Sequence, residues 1–369
     1  MTTATHERKL GDLADACTKA TNDLDLFEDV SRRLREVVPF DGSAWFATDP
    51  ATVLATSPVR IENVEPGNCE SYWERECRVE DTMLYRDVAR SALGAASLYA
   101  ATDGQPARSA RYREFLRPQG YGDELRAAFR LGESTWGVMD LYRDRARTAF
   151  TETDIEHVRK IVPAVATALR NAATVSALAP GAGGPGTALF DPSGALLSLD
   201  ERAEGLFHEI AGPHWSTQHT AMTPVFAVVA RASAVHEGRD RGPAAARLRL
   251  SSGRWLSVHA SCLRGADGSP GPTALTIEPA KSAQIAPIIV EAYGLTAREQ
   301  EITHAVARGL SNQEIAAERF LSPHTVRDHL KAVFAKVGVA SRGELVAKLF
   351  ADHYAPATHL PGAFVHVEL

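Results

Sequence analysis

The sequence predicts a multidomain α+β protein whose last quarter is an all-α bundle of four short helices. Three observations predict it. At 369 residues the chain is too long for one ordinary hydrophobic core and suits two or three. A Gly- and Pro-rich tract, Ala179-Pro-Gly-Ala-Gly-Gly-Pro-Gly186, has linker composition and divides two blocks that each mix helical and strand periodicity. Beyond Gly294, Ser and Thr stand at helix-capping positions four times in close succession.

The first block, residues 8–175, is predicted to be an α/β domain. Leu26, Phe27, Val30, Leu34, Val37 and Val38 follow helical spacing and form one apolar face. Ser43 to Thr48 reads as a strand that Asp49-Pro50 stops. Glu124 to Leu131 and Trp136 to Tyr142 read as two strands around a Gly132-Glu133-Ser134 turn. A long helix follows, with Thr151 as N-cap and Asp154 three positions on. Ile155, Val158, Val162, Val165 and Leu169 are assigned to its inner side, and Pro163 is expected to kink it.

After the linker at 176–186, the second block, residues 187–279, reads as a small α+β domain. Thr187 to Phe190 is a strand, Asp191-Pro-Ser-Gly194 a turn and Ala195 to Leu199 a second strand. A helical stretch carries Leu206, Phe207 and Ile210. A hairpin of Ala246 to Leu250 and Trp255 to Ala260 turns at Ser252-Gly253, and Thr273 to Ile277 adds a strand. Residues 280–293 are taken as a connecting helix or linker, 294–354 as the helical domain and 355–369 as a tail. No internal repeat is evident.

In the helical domain the boundaries follow from capping. Thr296-Ala-Arg-Glu299 is a capping box, and Gly309 stops the helix it begins. Ser311-Asn-Gln-Glu314 opens a second helix that ends near Glu318. Ser322-Pro323 opens a third, with proline in the first turn where its missing N–H does no harm, and Gly338 ends it. Ser341-Arg-Gly-Glu344 opens a fourth. On the third helix Val326, Leu330, Val333 and Val337 should pack against Ile302, Val306, Ile315 and Ala316, which turns His324, Arg327, Asp328 and Lys331 outward.

Charge separates this domain from the rest. The whole chain carries a net charge of -6, which taken alone speaks against nucleic acid. A duplex meets a local surface, however, and from Arg319 to Lys348 six cations stand against only Asp328 and Glu344. A helix in the major groove presents its N-terminal residues to base edges, where Arg and Lys reach guanine acceptors. That assigns base contact to His324, Arg327, Asp328 and Lys331. Ser311, Asn312, Thr325, Lys336 and Arg342 suit phosphates, which position a protein without reading sequence.

Leu295-Thr-Ala-Arg-Glu-Gln-Glu-Ile302, Gly309-Leu-Ser-Asn-Gln-Glu-Ile-Ala316, Ser322-Pro-His-Thr-Val-Arg-Asp-His329 and Val339-Ala-Ser-Arg342 together resemble the LuxR-type helix-turn-helix. The resemblance implies a tetrahelical DNA-binding domain that dimerises through its last helix, here Arg342 to Asp352. Two residues depart from the pattern. Arg319 stands where the family has leucine, so Phe320 and Leu321 are expected to carry that packing. Asp328 stands where neutral residues meet DNA, and a carboxylate there repels phosphate but accepts from cytosine N4. The first block resembles a GAF domain through Trp136-Gly-Val-Met-Asp-Leu-Tyr142 and Phe150-Thr-Glu-Thr-Asp154. The second resembles a PAS-type domain through Thr187 to Asp200 and Gly253-Arg-Trp-Leu256. The implied protein is a homodimeric transcriptional regulator whose sensor domains hold a small molecule or dimerise. Double-stranded DNA, RNA polymerase and a small-molecule effector are its candidate partners.

Other signals point away from catalysis and cofactors. The glycine-rich linker lacks the Lys-Ser/Thr of a phosphate-binding loop. His208, His214 and His219 beside Trp215 match no common metal spacing, so no metal and no cofactor is assigned. His329 is expected to pack rather than to switch with pH. The four cysteines form no C-x-x-C pair. One GAF-like family reduces free methionine sulfoxide with cysteines, which makes Cys69 and Cys77 the candidates for an enzymatic reading, but no matching motif accompanies them. Neither a receiver-type aspartate cluster nor an autoinducer-binding signature is present. The first residues lack a signal-peptide apolar run, and no apolar stretch nears the roughly 20 residues of a membrane span, so the expected location is cytoplasmic.

Overall fold

The computed structural model describes residues 3–19, 23–65, 69–174, 184–217 and 219–348. Its contacts divide the chain into two units, Met1–Val175 with Gly183–Pro279, and a second made chiefly of the residues from Ala280 onward. The described chain is thus mixed α and β, with two antiparallel sheets in the first unit and helices alone in the second.

The first unit begins with α1 (Thr3–Cys17), α2 (Asp23–Leu34), β1 (Gly42–Thr48), β2 (Ala55–Glu62), α3 (Cys69–Arg78), α4 (Tyr85–Arg90), β3 (Ala95–Ser97) and α5 (Leu98–Ala101). A π-helical turn at Tyr112–Leu116 leads to β4 (Tyr121–Leu131), β5 (Ser134–Asp144) and α6 (Glu152–Thr174). The strands form one antiparallel sheet in the order β2-β1-β5-β4-β3. Every residue of β1 is buried, because helices cover both faces of the sheet. Strand alternation sends Trp45 to the side of Phe27 on α2, and sends Phe46 to Trp73 and Tyr85 on α3 and α4. The Thr151 cap is reciprocal, the Asp154 carboxylate accepting from the Thr151 N–H at 2.8 Å while Thr151 Oγ1 accepts from the Asp154 N–H at 3.2 Å.

Two details of this half correct the expectation. Ser134 belongs to β5, so the hairpin turns on Gly132 and Glu133 alone. Val162 is only partly covered, and Ile161 and Ala166 fill the inner side of α6 instead. The helix runs through Pro163 as one element. Helix α1, β2 and α3 drew no assignment at all. Their apolar residues are spaced between charged ones that ion-pair locally, such as Arg60 with Glu62 at 2.5 Å, and neither period stands out.

The unit continues with β6 (Gly186–Phe190), β7 (Leu196–Leu199), α7 (Glu201–Ala211), α8 (Thr223–His236), β8 (Ala245–Arg249), β9 (Trp255–Arg264) and β10 (Pro270–Pro279). Most of the linker lies outside the described residues. Its last residue, Gly186, is a strand residue, and a Cβ there would lie 2.4 Å from the Ala203 nitrogen. The second sheet runs β7-β6-β10-β9-β8, also antiparallel. Numbered from its own first strand, each sheet reads 2-1-5-4-3, so the fold repeats although the sequence does not. Helix α8 is apolar nearly all round, as a helix covered on all sides must be: it lies between α3 and the strands of the second sheet. Asp49 and Arg247 tie the sheets together, the guanidinium donating to both carboxylate oxygens at 2.6 and 2.7 Å.

A buried charge cluster sits on the α3 and α4 side of the first sheet. Arg126 is fully buried and lies 2.8 Å from Glu76, 3.1 Å from Asp140 and 3.3 Å from Glu124. Arg111 pairs with Glu124 at 2.7 Å. The hydroxyls of Tyr72, Tyr85 and Tyr142 all donate to Asp140. Burial here is tolerable only because nearly every charge meets an opposite one.

The second unit holds α9 (Ser282–Ala292), α10 (Ala297–Ala307), α11 (Asn312–Arg319), α12 (Pro323–Val337) and α13 (Arg342–Val346). Thr296 and Ser311 form full capping boxes with Glu299 and Glu314. Ser322 accepts from the Thr325 N–H, and Gly338 closes α12 in the left-handed region at φ 68°. At α13 Ser341 caps, but Glu344 reaches back to the Ala340 N–H rather than to that of Ser341. The rest of the expected fourth helix, toward Asp352, lies outside the described residues.

Candidate nucleic-acid interface

Helix α12 owes its orientation to four residues. Val326, Leu330, Val333 and Val337 are buried, as are Ile302, Val306, Ile315 and Ala316 on the helices that α12 packs against. With that stripe inward, His324, Arg327, Asp328 and Lys331 are exposed together on the N-terminal half of the helix. Asp328 lies 3.0 Å from His324 Nδ1 and 3.8 Å from Lys331 Nζ, so two potential cations already neighbour the one acid of this face. Arg327 has no ion-pair or hydrogen-bond partner among the described residues. Its guanidinium is therefore free to make a bidentate contact with a base edge or phosphate.

The residues assigned to phosphates separate into two groups. Ser311 and Asn312 stand at the exposed start of α11, and Thr325 at the start of α12, where its hydroxyl meets that of Ser322 at 2.8 Å. Helix N-termini suit anionic oxygens. Lys336 and Arg342 are engaged within the domain. The Lys336 ammonium donates to Glu299 at 2.6 Å and to the Gly294 carbonyl at 3.3 Å. Arg342 donates to the carbonyls of Val306 and Leu310 and lies 3.5 Å from Asn312 Oδ1. Sequence reading missed these ties because they join residues 30 or more positions apart.

The Lys336 pair gives a pH expectation. Burial alone would raise the Glu299 carboxyl, but the Lys336 ammonium and the Thr296 N–H outweigh it and hold it below its ordinary value of 4.5. A carboxyl depressed in the folded state contributes stability above its unfolded pKa and loses that contribution as pH falls through the folded value. Lys336→Met is therefore expected to move acid unfolding of this domain to higher pH. Circular dichroism across the acid range checks it, and an unmoved transition would count against the pair.

Phe320 corrects an expectation outright. It does not take over packing from Arg319: it ends α11 in the left-handed region at φ 55° with its ring 96% exposed. Arg319 is held instead by Glu318 at 3.2 Å and Glu301 at 3.8 Å. A bulky residue in the left-handed region is strained by roughly 1–2 kcal/mol. Because glycine also gains freedom in the unfolded chain, Phe320→Gly is expected to stabilise the domain by about 0.5–1 kcal/mol net. Chemical denaturation checks this.

A second feature lies in the first unit. A cavity of about 220 Å³ is walled by Phe46, Tyr72, Trp73, Phe115 and Tyr142, with Thr223 of α8 at its edge. The Tyr72 and Tyr142 hydroxyls face away into the Asp140 cluster. The aromatic density around Tyr72-Trp73, Tyr85 and Phe115 was the sequence signal that could have marked it. Among the described residues no group of three or more His, Cys, Asp or Glu is placed to hold a metal. Burial pushes the Cys77 thiol up to about 12, which opposes a thiolate nucleophile there. The Cys69 side chain lies outside the described residues. No helix among the described residues is long and apolar enough to cross a membrane.

Residues 294–349 match the family described as bacterial regulatory proteins, luxR family. A Mycobacterium bovis protein named as an HTH-type transcriptional regulator is 50% identical over 52 residues, 14% of this chain and 6% of that protein. The Bacillus subtilis transcriptional regulatory protein YhcZ is 45% identical over 62 residues, 17% of this chain and 28% of the other. The monoamine regulon transcriptional regulator of Klebsiella aerogenes is 41% identical over 66 residues, 18% and 29%. In each case the matched stretch spans less than a third of the relative.

Proposed function

With a luxR-family helix-turn-helix domain at residues 294–349 as the premise, we propose that the chain is a sequence-specific DNA-binding transcriptional regulator. One observation carries the reading: Arg327, unpaired, and Lys331 stand exposed on the first half of a capped helix whose other face is buried. The phosphate contacts come from Ser311, Asn312 and Thr325, with Lys336 and Arg342 chiefly holding the domain together. The chain acts as a homodimer on DNA, its last helix supplying the contact, and catalysis plays no part.

The first unit is the sensor. Residues 8–175 have a GAF-like and residues 187–279 a PAS-like fold in this reading, supported by two five-stranded sheets of one strand order. The aromatic cavity suits a small, largely apolar effector, because its wall offers rings, its Tyr72 and Tyr142 hydroxyls are committed to Asp140, and Thr223 supplies one unpartnered hydroxyl.

Selection of duplexes from a random pool by the full chain tests the central reading. An enriched motif, with binding that weakens steeply as salt rises, is expected. Recovery of no motif would overturn sequence-specific regulation.

A further inference from the structure

A cleft of about 680 Å³ opens in the first unit, and it shares no lining residue with the aromatic cavity. Its walls are the turn after β1, helix α4, the β4–β5 hairpin, helix α8 and the loop from α8 to β8. Six arginines line it: Arg86, Arg90, Arg130, Arg231, Arg239 and Arg241. Against them stand two lining carboxylates, Glu133 and Asp240, leaving an excess of four positive charges.

The internal structure does not neutralise that excess. Asp240 is shared, lying 3.2 Å from Arg231 and 3.5 Å from Arg86. Arg239 is held by Glu237 at 3.0 Å, and Arg130 donates to the Ala89 carbonyl at 2.9 Å. Arg90 and Arg241 have no ion-pair partner among the described residues. Arg231, nine-tenths buried at the cleft wall, has its Nε 3.2 Å from the carboxylate of Asp240, which it shares with Arg86. Gly242 allows this placement, since a Cβ there would lie 2.6 Å from Arg231 Nη1.

Six arginines gathered around two lining carboxylates are unfavourable unless a further anion completes them. Low-dielectric walls focus such a field on the cavity. The guanidinium fork matches the oxygens of a phosphate and can grip it with two bonds. No aromatic side chain lines the cleft, so recognition there rests on charge rather than on ring stacking. The volume falls in the usual range for small-molecule sites, about 300–1,000 Å³.

We propose that this cleft binds a small phosphorylated metabolite carrying at least two phosphate charges. Residues 50–135 and residues 231–243 both line it, so the site needs both parts of the unit. None of its residues lies beyond Pro279, so the proposal stands or falls separately from DNA binding.

Calorimetric titration of the full chain with inorganic tripolyphosphate tests it, with citrate as a carboxylate comparison. The expected result is saturable one-to-one binding of tripolyphosphate and much weaker binding of citrate. The double variant Arg90→Glu, Arg241→Glu changes exposed, unpaired side chains and should bind at least tenfold more weakly while unfolding like the parent. The double variant Arg327→Ala, Lys331→Ala should bind as the parent does. Absence of saturable binding, unchanged affinity in the charge-reversal variant, loss of binding in the α12 variant, or citrate binding as tight as tripolyphosphate would each overturn the proposal.

Discussion

Arg327→Ala is expected to weaken binding to a selected duplex by about 1–3 kcal/mol, with preference relaxed at one base position. Lys331→Ala is expected to weaken it within the same range. The two should differ in character. Arg327 is unpaired, so nothing inside the protein compensates its loss and nothing is unsettled by it. Lys331 neighbours Asp328 at 3.8 Å, and its removal leaves that carboxylate facing DNA with only His324 beside it. Neither substitution touches the buried stripe of Val326, Leu330, Val333 and Val337, so melting should be unchanged. Fluorescence anisotropy on the selected duplex at several salt concentrations measures both effects. Parental affinity in both variants would place the reading face elsewhere.

The largest stability effect is expected at Arg126. Replacing it with methionine keeps much of the volume but leaves Glu76, Glu124 and Asp140 buried around a neutral group. Breaking a buried ion cluster by removing one partner typically destabilises by about 3–5 kcal/mol. The pH dependence has a definite sign. Burial already holds the Asp140 carboxyl above its ordinary value, and without the guanidinium that opposes it the carboxyl rises further. A raised pKa confers stability that is present at low pH and lost as pH rises through the folded value. The defect should therefore be greatest at neutral pH and shrink on acidification. Urea unfolding at two pH values reads this, and a loss below about 1 kcal/mol at neutral pH would contradict the assigned role.

How legible the molecule was in its sequence depended on the range of the interactions. Capping is local, and the starts at Thr296, Ser311, Ser322 and Ser341 were all readable from residues three positions apart. The exposed face of α12 followed from the same local logic. What needed the third dimension was not readable. Arg126, Glu124 and Asp140 look like ordinary polar residues of an alternating strand pair, yet both faces of that sheet are covered and the charges are buried together with Arg111. Helix α8 is so uniformly apolar that no 3.6-residue period stands out, and it drew no assignment. The arginines of the cleft come from four segments that only folding assembles. Phe320 shows a local rule overridden: a large apolar residue ended a helix where packing was expected and stands in solvent instead.

The geometry of α12 on DNA is what the account rests on most. Methylation interference on the selected duplex addresses it directly, since guanine N7 lies in the major groove and adenine N3 in the minor. The account predicts interference at guanine N7, with the signal at one guanine lost in Arg327→Ala. Interference confined to adenine N3, or an unchanged guanine pattern in that variant, would contradict it.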